Sequence, residues 1–170
     1  MDLKPILSAL ACSAICFVPM FATAGSLSQN DARFMKFAAV SEMKEAHLAR
    51  LAEDNASKSG VKDYGQKVVQ DQTNLYGELS SLAAKTGESV PKGIDVRHDK
   101  ILFPMEHMKG SSFDHRYLAH EVRFHQTLEA ACKREAEHGQ DPGVKAYAQK
   151  LASLEDQHFQ QVEQLNKAGK

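Results

Sequence analysis

The amino-acid sequence predicts an all-α four-helix bundle, in which a long crossover joins two antiparallel helical hairpins. Three observations lead to this fold class. Four long segments carry apolar residues at helical spacing, strand signals are nearly absent, and the central connector, residues 88–110, has 23 residues. A turn between antiparallel helices needs far fewer residues. The connector is long enough to run the length of a bundle.

The first 24 residues have the composition of an export signal. Lys4 lies in a weakly positive start, residues 6–21 are mostly apolar, and the small residues 22–24 predict cleavage after Ala24. The apolar run is short for a membrane span. We therefore expect a periplasmic protein with no membrane span after signal removal, whose single domain is residues 25–170.

The first helix is predicted over residues 31–58. Residues 28–31 offer side chains that cap helix N-termini. The apolar stripe of this helix is interrupted near its middle by Glu45. We expect Gly60 to end the helix in a left-handed conformation, because glycine adopts that conformation without strain.

The second helix is predicted over residues 61–86, and Asp71 occupies a core position near its middle. Residues 88–110 follow as the crossover, which Pro and Gly residues punctuate. A short helix is predicted within it, over residues 99–108. The length of the crossover favours two hairpins over a simple up-down-up-down order.

The third and fourth helices are predicted over residues 111–138 and 143–167, with a turn at residues 139–142. An internal repeat supports two similar hairpins. Residues 60–67 recur as residues 143–150, with six of eight identities at an offset of 83.

Polar residues of metal-binding type interrupt the apolar stripes of the second hairpin. Glu121 and His125 share one face of the third helix, and Glu155 and His158 share one face of the fourth. Folding the hairpin about its turn brings both pairs to the same level. We expect them to meet near the middle of the bundle, with Glu45 and Asp71 at a matching level of the first hairpin.

A ferritin-like dinuclear site needs a single Glu from two helices and a Glu-x-x-His motif from the other two. Residues 155–158 provide one such motif, but the second is missing. At an offset of 83, Gln72 and Leu75 occupy the positions of its Glu and His. A single-metal site built from Glu121, His125, Glu155 and His158 stays open. For the wider hypothesis of an iron- or manganese-binding protein, the candidate ligands are Glu45 (or Glu42), Asp71, Glu121, His125, Glu155 and His158.

A purely structural role is the alternative for these residues. The two Glu–His pairs can bond to each other or to Tyr117, and buried polar networks of this kind fix helix register. Composition excludes other classes. The formal net charge of −1 argues against nucleic-acid binding. Cys132 is the one cysteine after the signal, and the sequence has no nucleophile motif or phosphate-binding loop.

Several segments carry a resemblance to a known family: residues 31–34, 37–39, 51–52, 61–62, 68–71, 110–118 and 154–158, with Glu45 and His125. With these residues the chain resembles the bacterial DUF4142 family (domain of unknown function), exported proteins with a ferritin-like four-helix fold. Members usually have a histidine directly after the aspartate of the second helix, where this chain has Gln72. The resemblance implies the fold and export, and it carries no established activity.

Three functions are compatible with the sequence. We favour a non-enzymatic periplasmic bundle protein with a role in envelope maintenance or stress response. The first alternative is a protein that binds iron or manganese at the candidate ligands. The second is an interaction module whose apolar crossover, residues 103–113, docks a protein partner or takes part in a homodimer.

Overall fold

The structure is a computed structural model that describes residues 27–168. These residues form five helices: α1 (Gln29–Asn55), α2 (Ser59–Thr86), α3 (Leu102–Glu106), α4 (Gly110–His138) and α5 (Pro142–Ala168). This part of the chain contains no strand, which confirms the all-α prediction. The predicted signal, residues 1–24, lies outside the described residues.

The four long helices pair as two hairpins. α1 packs along α2, and α4 packs along α5. The segment between α2 and α4 contains α3, which packs on α1 and buries Leu102 and Met105 in the core. The crossover is therefore part of the core as well as a connection. Across residues 27–168, no helix is both long enough and apolar enough to span a membrane.

The turn of the first hairpin differs from the prediction. α1 ends at Asn55 rather than at residue 58, and Gly60 lies in the first turn of α2 instead of terminating α1. The cause is a tertiary contact, because the backbone N–H groups of residues 57 and 58 donate to the carboxylate of Asp114. A left-handed glycine does end a helix at Gly87, where φ is 74°.

Two buried aspartates tie the hairpins together. Asp31 of α1 accepts the backbone N–H groups of residues 140 and 141, in the turn of the second hairpin, at 3.0 Å each. Asp114 of α4 accepts those of residues 57 and 58, in the turn of the first, at 2.9 and 3.2 Å. Asp31 and Asp114 are 83 positions apart, and so are residues 57–58 and residues 140–141. This is the offset of the sequence repeat. Such reciprocal contacts are typical of two units related by an approximate two-fold axis.

A polar layer divides the core into two apolar clusters. One cluster includes Leu75, Leu79, Leu128, Val144 and Leu151. The other includes Leu48, Val61, Val68, Phe113 and Val162. The polar layer between them consists of seven side chains that are 0% exposed: Glu42, Glu45, Gln72, Glu121, His125, Glu155 and His158. Burying polar or charged groups costs stability unless they are paired, so this layer requires a physical explanation.

Candidate metal centre

Five of the six predicted ligands lie in the polar layer. α1 contributes Glu45, α4 contributes Glu121 and His125, and α5 contributes Glu155 and His158. They form two groups, in each of which one donor atom per residue lies within 4.8 Å of the others. We call Glu45, Glu121 and His125 the inner group, and His125, Glu155 and His158 the outer group.

The inner group holds two carboxyl groups that face each other. Among the described residues, no third group donates to the oxygens of Glu45 or Glu121, and a hydrogen bond between the two carboxyl groups contributes to the pKa of both. His125 Nε2 lies 3.5 Å from Glu121 Oε2. Burial, together with the Glu121 charge, raises the pKa of Glu45 well above its usual range. Burial also raises the pKa of Glu121 to about 7. A cation that displaced the proton shared by these two groups would meet four carboxylate oxygens in a dry core, which would attract it strongly.

The outer group combines two imidazoles with one carboxylate. His125 Nδ1 lies 2.6 Å from Glu155 Oε2, and Gln72 Nε2 donates to Glu155 Oε1 at 3.0 Å. Within residues 27–168, His158 Nδ1 is buried and has no partner. Two histidines and one carboxylate are a ligand set that non-haem iron uses. His125 therefore offers one nitrogen to each group.

Asp71, the sixth predicted ligand, is not in the layer. Its side chain is 25% exposed, and one of its oxygens lies 3.0 Å from His158 Nε2. Gln72 takes the core-facing place that the sequence had assigned to Asp71. The two positions are adjacent, and successive residues of a helix point about 100° apart. Asp71 is thus an outer partner of a candidate ligand.

Tyr64 is a member of the site that the sequence reasoning missed. Its hydroxyl lies 2.6 Å from His125 Nε2. When the ring is neutral with its hydrogen on Nδ1, facing Glu155, Nε2 accepts the Tyr64 proton. Burial lowers the pKa of His125, but the hydrogen bond to Glu155 and the charges of Glu45 and Glu155 raise it above its ordinary value overall. The predicted partner, Tyr117, is buried, and its hydroxyl has no partner among the described residues. The sequence signal that could have pointed to Tyr64 is the internal repeat, in which Tyr64 and Tyr147 occupy equivalent positions.

A second network lies at the equivalent place in the other half of the layer. Tyr147 donates a hydrogen bond to Glu42 Oε1. Tyr147 lies 83 positions after Tyr64, and Glu42 lies 83 positions before His125. We call Tyr64 with the inner and outer groups the Tyr64 side, and Tyr147 with Glu42 the Tyr147 side. Burial raises the pKa of Glu42 to about 8.

The sequence matches the DUF4142 family, a domain of unknown function, over residues 17–165. The chain belongs to the DUF4142 family. A search of curated proteins found no match. The family assignment agrees with the resemblance seen in the sequence and assigns no activity to the polar layer.

Solved structures show the same fold as this DUF4142 chain. A DUF305 fragment from Deinococcus radiodurans is 11% identical, with a TM-score of 0.74, and the match covers 84% of this chain and 98% of that one. CopM in its Cu(I)-bound form is 14% identical, with a TM-score of 0.68, over 81% and 96% of the two chains. A conserved hypothetical protein from Mycobacterium tuberculosis is 12% identical, with a TM-score of 0.62, over 80% and 96%. At these identities the similarity establishes the fold alone.

The two candidate groups of this chain offer oxygen and nitrogen donors and no sulfur. Their carboxylates suit iron or manganese and their imidazoles suit iron, zinc or Cu(II), whereas Cu(I) prefers sulfur. Cys132, the one free cysteine that the structure describes, is buried and belongs to an apolar cluster. Burial raises the pKa of its thiol far above the ordinary value, which keeps it protonated and unreactive.

Proposed function

We propose that this protein binds a single iron or manganese ion in its polar layer. The observation that supports this function is the pair Glu45 and Glu121, whose four oxygens are fully buried and accept from no third group within the described residues. The pKa of each carboxyl group is raised, so an arriving divalent ion displaces their protons, and the two carboxylates then balance its charge. His125 supplies a nitrogen ligand beside them.

The donor set favours a hard or borderline ion. Carboxylates suit manganese and iron, and one imidazole is compatible with either metal. CopM, which shares the fold, has been solved in Cu(I)-bound, Cu(II)-bound and Ag-bound forms. Neither group in this chain contains sulfur. We therefore expect Cu(I) and silver to bind this layer more weakly than iron or manganese.

The predicted export signal, residues 1–24, places this function in the periplasm. A buried ion in a non-enzymatic bundle fits a role in holding metal for the cell envelope, including under stress. We propose the envelope role together with the metal site, and both depend on the export of the chain.

The test is a titration of metal-free protein with Mn²⁺, followed by the electron paramagnetic resonance signal of the free ion. We expect one ion per wild-type chain. The double variant Glu45→Gln/Glu121→Gln keeps the side-chain volumes and removes both charges, so its affinity should fall by at least about 100-fold. Glu42→Gln is the matched control, because Glu42 is equally buried but lies on the Tyr147 side.

Equal affinity in the wild type and the double variant would reject the inner group as the site. If the wild type bound neither Mn²⁺ nor Fe²⁺, the metal-binding function itself would be wrong. The polar layer would then be a structural network that sets helix register.

A second candidate function is docking of a protein partner at the crossover. Three large apolar side chains are exposed in the described part of the chain, namely Phe37, Ile101 and Phe103, at 44%, 39% and 45%. Phe37 and Ile101 line one shared cleft. A Phe37→Ser/Phe103→Ser variant should lose a partner or a dimer contact that the wild type makes. Sedimentation and co-purification measure both, and identical behaviour of the two proteins would count against docking.

A further inference from the structure

The two groups of the layer share His125 but use different atoms of it. Nδ1 faces Glu155 of the outer group at 2.6 Å, and Nε2 faces Glu121 of the inner group at 3.5 Å. The two imidazole rings of the outer group lie 5.4 Å apart between centroids. An ion in either group therefore has a neighbouring position that is connected to it through a single side chain.

Charge decides which position is the resting one. The inner group brings two carboxylates, so a divalent ion there leaves no net charge. The outer group brings one carboxylate and two neutral imidazoles, so the same ion leaves one net positive charge in a dry core. An unbalanced charge is costly when it is buried. The inner position is therefore the more stable of the two.

The outer group is the one connected to solvent. Asp71 Oδ2 lies 3.0 Å from His158 Nε2, and the Asp71 side chain is 25% exposed. Asp71 also lines an open cavity of about 420 Å³, together with Asn74, Gln157 and the ion pair of Glu78 with Lys150. Of the two carboxylates in this lining, Asp71 is the one that contacts the layer, so a hydrated cation can reach His158 from this cavity through Asp71.

Asp71 also fixes the proton of His158. Its carboxylate can only accept, so His158 Nε2 carries the hydrogen of this bond. Nδ1 is then unprotonated, and it is the buried ring nitrogen without a partner in the described chain. Lys67 Nζ lies farther from His158 Nε2, at 3.5 Å, and pairs with Asp71 at 2.5 Å. An arriving cation competes with Lys67 for the same carboxylate.

We propose that the outer group is a transit site, which takes a divalent cation from the surface at Asp71 and passes it to the inner group through His125. This proposal rests on the proposed function of the inner group. At the outer position the ion binds His125 Nδ1, and the ring proton lies at Nε2, facing Tyr64 and Glu121. An ion that moved inward would bind Nε2; the ring would release the Nε2 proton and take up one at Nδ1, from which it donates a hydrogen bond to Glu155. The ring thus carries one proton in either position of the ion.

A transit site affects the rate at which the ion binds, whereas the inner group sets the affinity. Stopped-flow mixing of metal-free protein with Mn²⁺ gives the association rate, and equilibrium titration gives the affinity and the stoichiometry. Asp71→Asn should slow association by about tenfold or more, because it removes the charge that attracts the ion. Its stoichiometry should stay at one. Glu78→Gln is the matched control, since Glu78 lines the same cavity but pairs with Lys150 instead of the layer.

Lys67→Gln provides a test in the opposite direction. It removes the cation that competes for Asp71, so association should become faster. His158→Leu removes the outer group and should slow association while the inner group still fills at equilibrium. Circular dichroism checks that this core variant folds, and the two surface variants test the route independently of it.

The possible outcomes distinguish failure of the transit site from failure of the proposed metal-binding function. If the wild type binds Mn²⁺ but Asp71→Asn and Lys67→Gln leave the association rate unchanged, the transit site is wrong and the inner site stands. If Asp71→Asn lowers the stoichiometry to zero, Asp71 is needed for the bound state itself, and the transit role is also rejected. If the wild type binds no ion, the proposed function fails before the route is tested.

Discussion

The Tyr64 side and the Tyr147 side of the layer are related by the same offset of 83 positions as the two hairpins, and each side takes residues from both hairpins, yet their chemistry differs. Tyr64 contacts an imidazole, His125, whereas Tyr147 donates to a carboxylic acid, Glu42. At an offset of 83, Leu75 stands where the other half has His158, and Leu128 corresponds to Glu45. The Tyr147 side thus lacks the ligands that would hold an ion.

The positions that stay alike are those that hold the fold together. Asp31 and Asp114 make the same contacts in both halves, each to the turn of the opposite hairpin. Glu45 and His158 of the polar layer, in contrast, have leucine at the equivalent positions, Leu128 and Leu75. The two halves therefore share contacts that hold the fold together, whereas the candidate ligands lie on one side of the layer only.

The largest difference between variants of the two sides should appear in how much a bound metal ion stabilises the folded protein. An ion that binds the native state at a thousand times its Kd adds about 4 kcal/mol to the free energy of unfolding. We expect this increase for the wild type and for Glu42→Gln, and none for Glu121→Gln. Urea unfolding with and without Mn²⁺ measures it. Equal stabilisation of all three proteins would place the ion elsewhere.

The next effect is the pH dependence of the metal-free protein. Burial raises the pKa of Glu42 to about 8 and that of Glu121 to about 7, from an ordinary value of 4.5. The folded state therefore holds protons that the unfolded state releases above about pH 4.5, and the free energy of unfolding should fall as pH rises from there to about 8. The expected loss is on the order of a few kcal/mol.

Urea unfolding in the presence of a chelator, at pH 5 and pH 8.5, measures this loss. Glu42→Gln should flatten the profile while leaving metal binding intact, because its carboxyl group lies on the Tyr147 side. A stability that rises between these two pH values would contradict the account of both buried acids.

A smaller effect, equal in the two halves, should follow from removing either aspartate contact. Asp31→Ala and Asp114→Ala each leave two backbone N–H groups of a turn without their acceptor. Each variant should lose about 2–3 kcal/mol of stability. Thermal or urea unfolding tests the equality. A large loss in one variant and none in the other would show that the two contacts are not equivalent.

The smallest effect concerns the two tyrosines. Tyr64→Phe and Tyr147→Phe each remove one buried hydrogen bond and should cost about 1 kcal/mol. Only Tyr64→Phe should also change the affinity for Mn²⁺, because Tyr64 bonds to a candidate ligand. If Tyr147→Phe changed that affinity equally, the two sides of the layer would be functionally coupled.

Hydrophobic periodicity was enough to predict the four long helices and the crossover, because the apolar stripes are long and uninterrupted except at the layer. The end of α1 could not be predicted, since the contact of Asp114 with residues 57 and 58 depends on the other hairpin. The repeat did predict that the hairpins are similar. It could not show that each aspartate reaches the opposite turn.

The layer was predicted in part. Glu121, His125, Glu155 and His158 are buried together because both pairs lie on inward faces of adjacent helices. The sequence pattern of α2 allows either Asp71 or Gln72 to face the core. The prediction chose Asp71, whereas the structure buries Gln72, the next residue. The contact between Tyr64 and His125 joins two helices from different hairpins. Its geometry depends on how the hairpins pack, which the spacing within one helix does not specify.

The most direct test of the central claim is elemental analysis of the native protein, purified without chelator or affinity tag. We predict close to one iron or manganese ion per chain in the wild type and in Glu42→Gln, and none in Glu45→Gln/Glu121→Gln. Finding no metal in any of them, together with no thermal shift on adding iron or manganese, would contradict the claim. The buried carboxylates would then serve the fold alone.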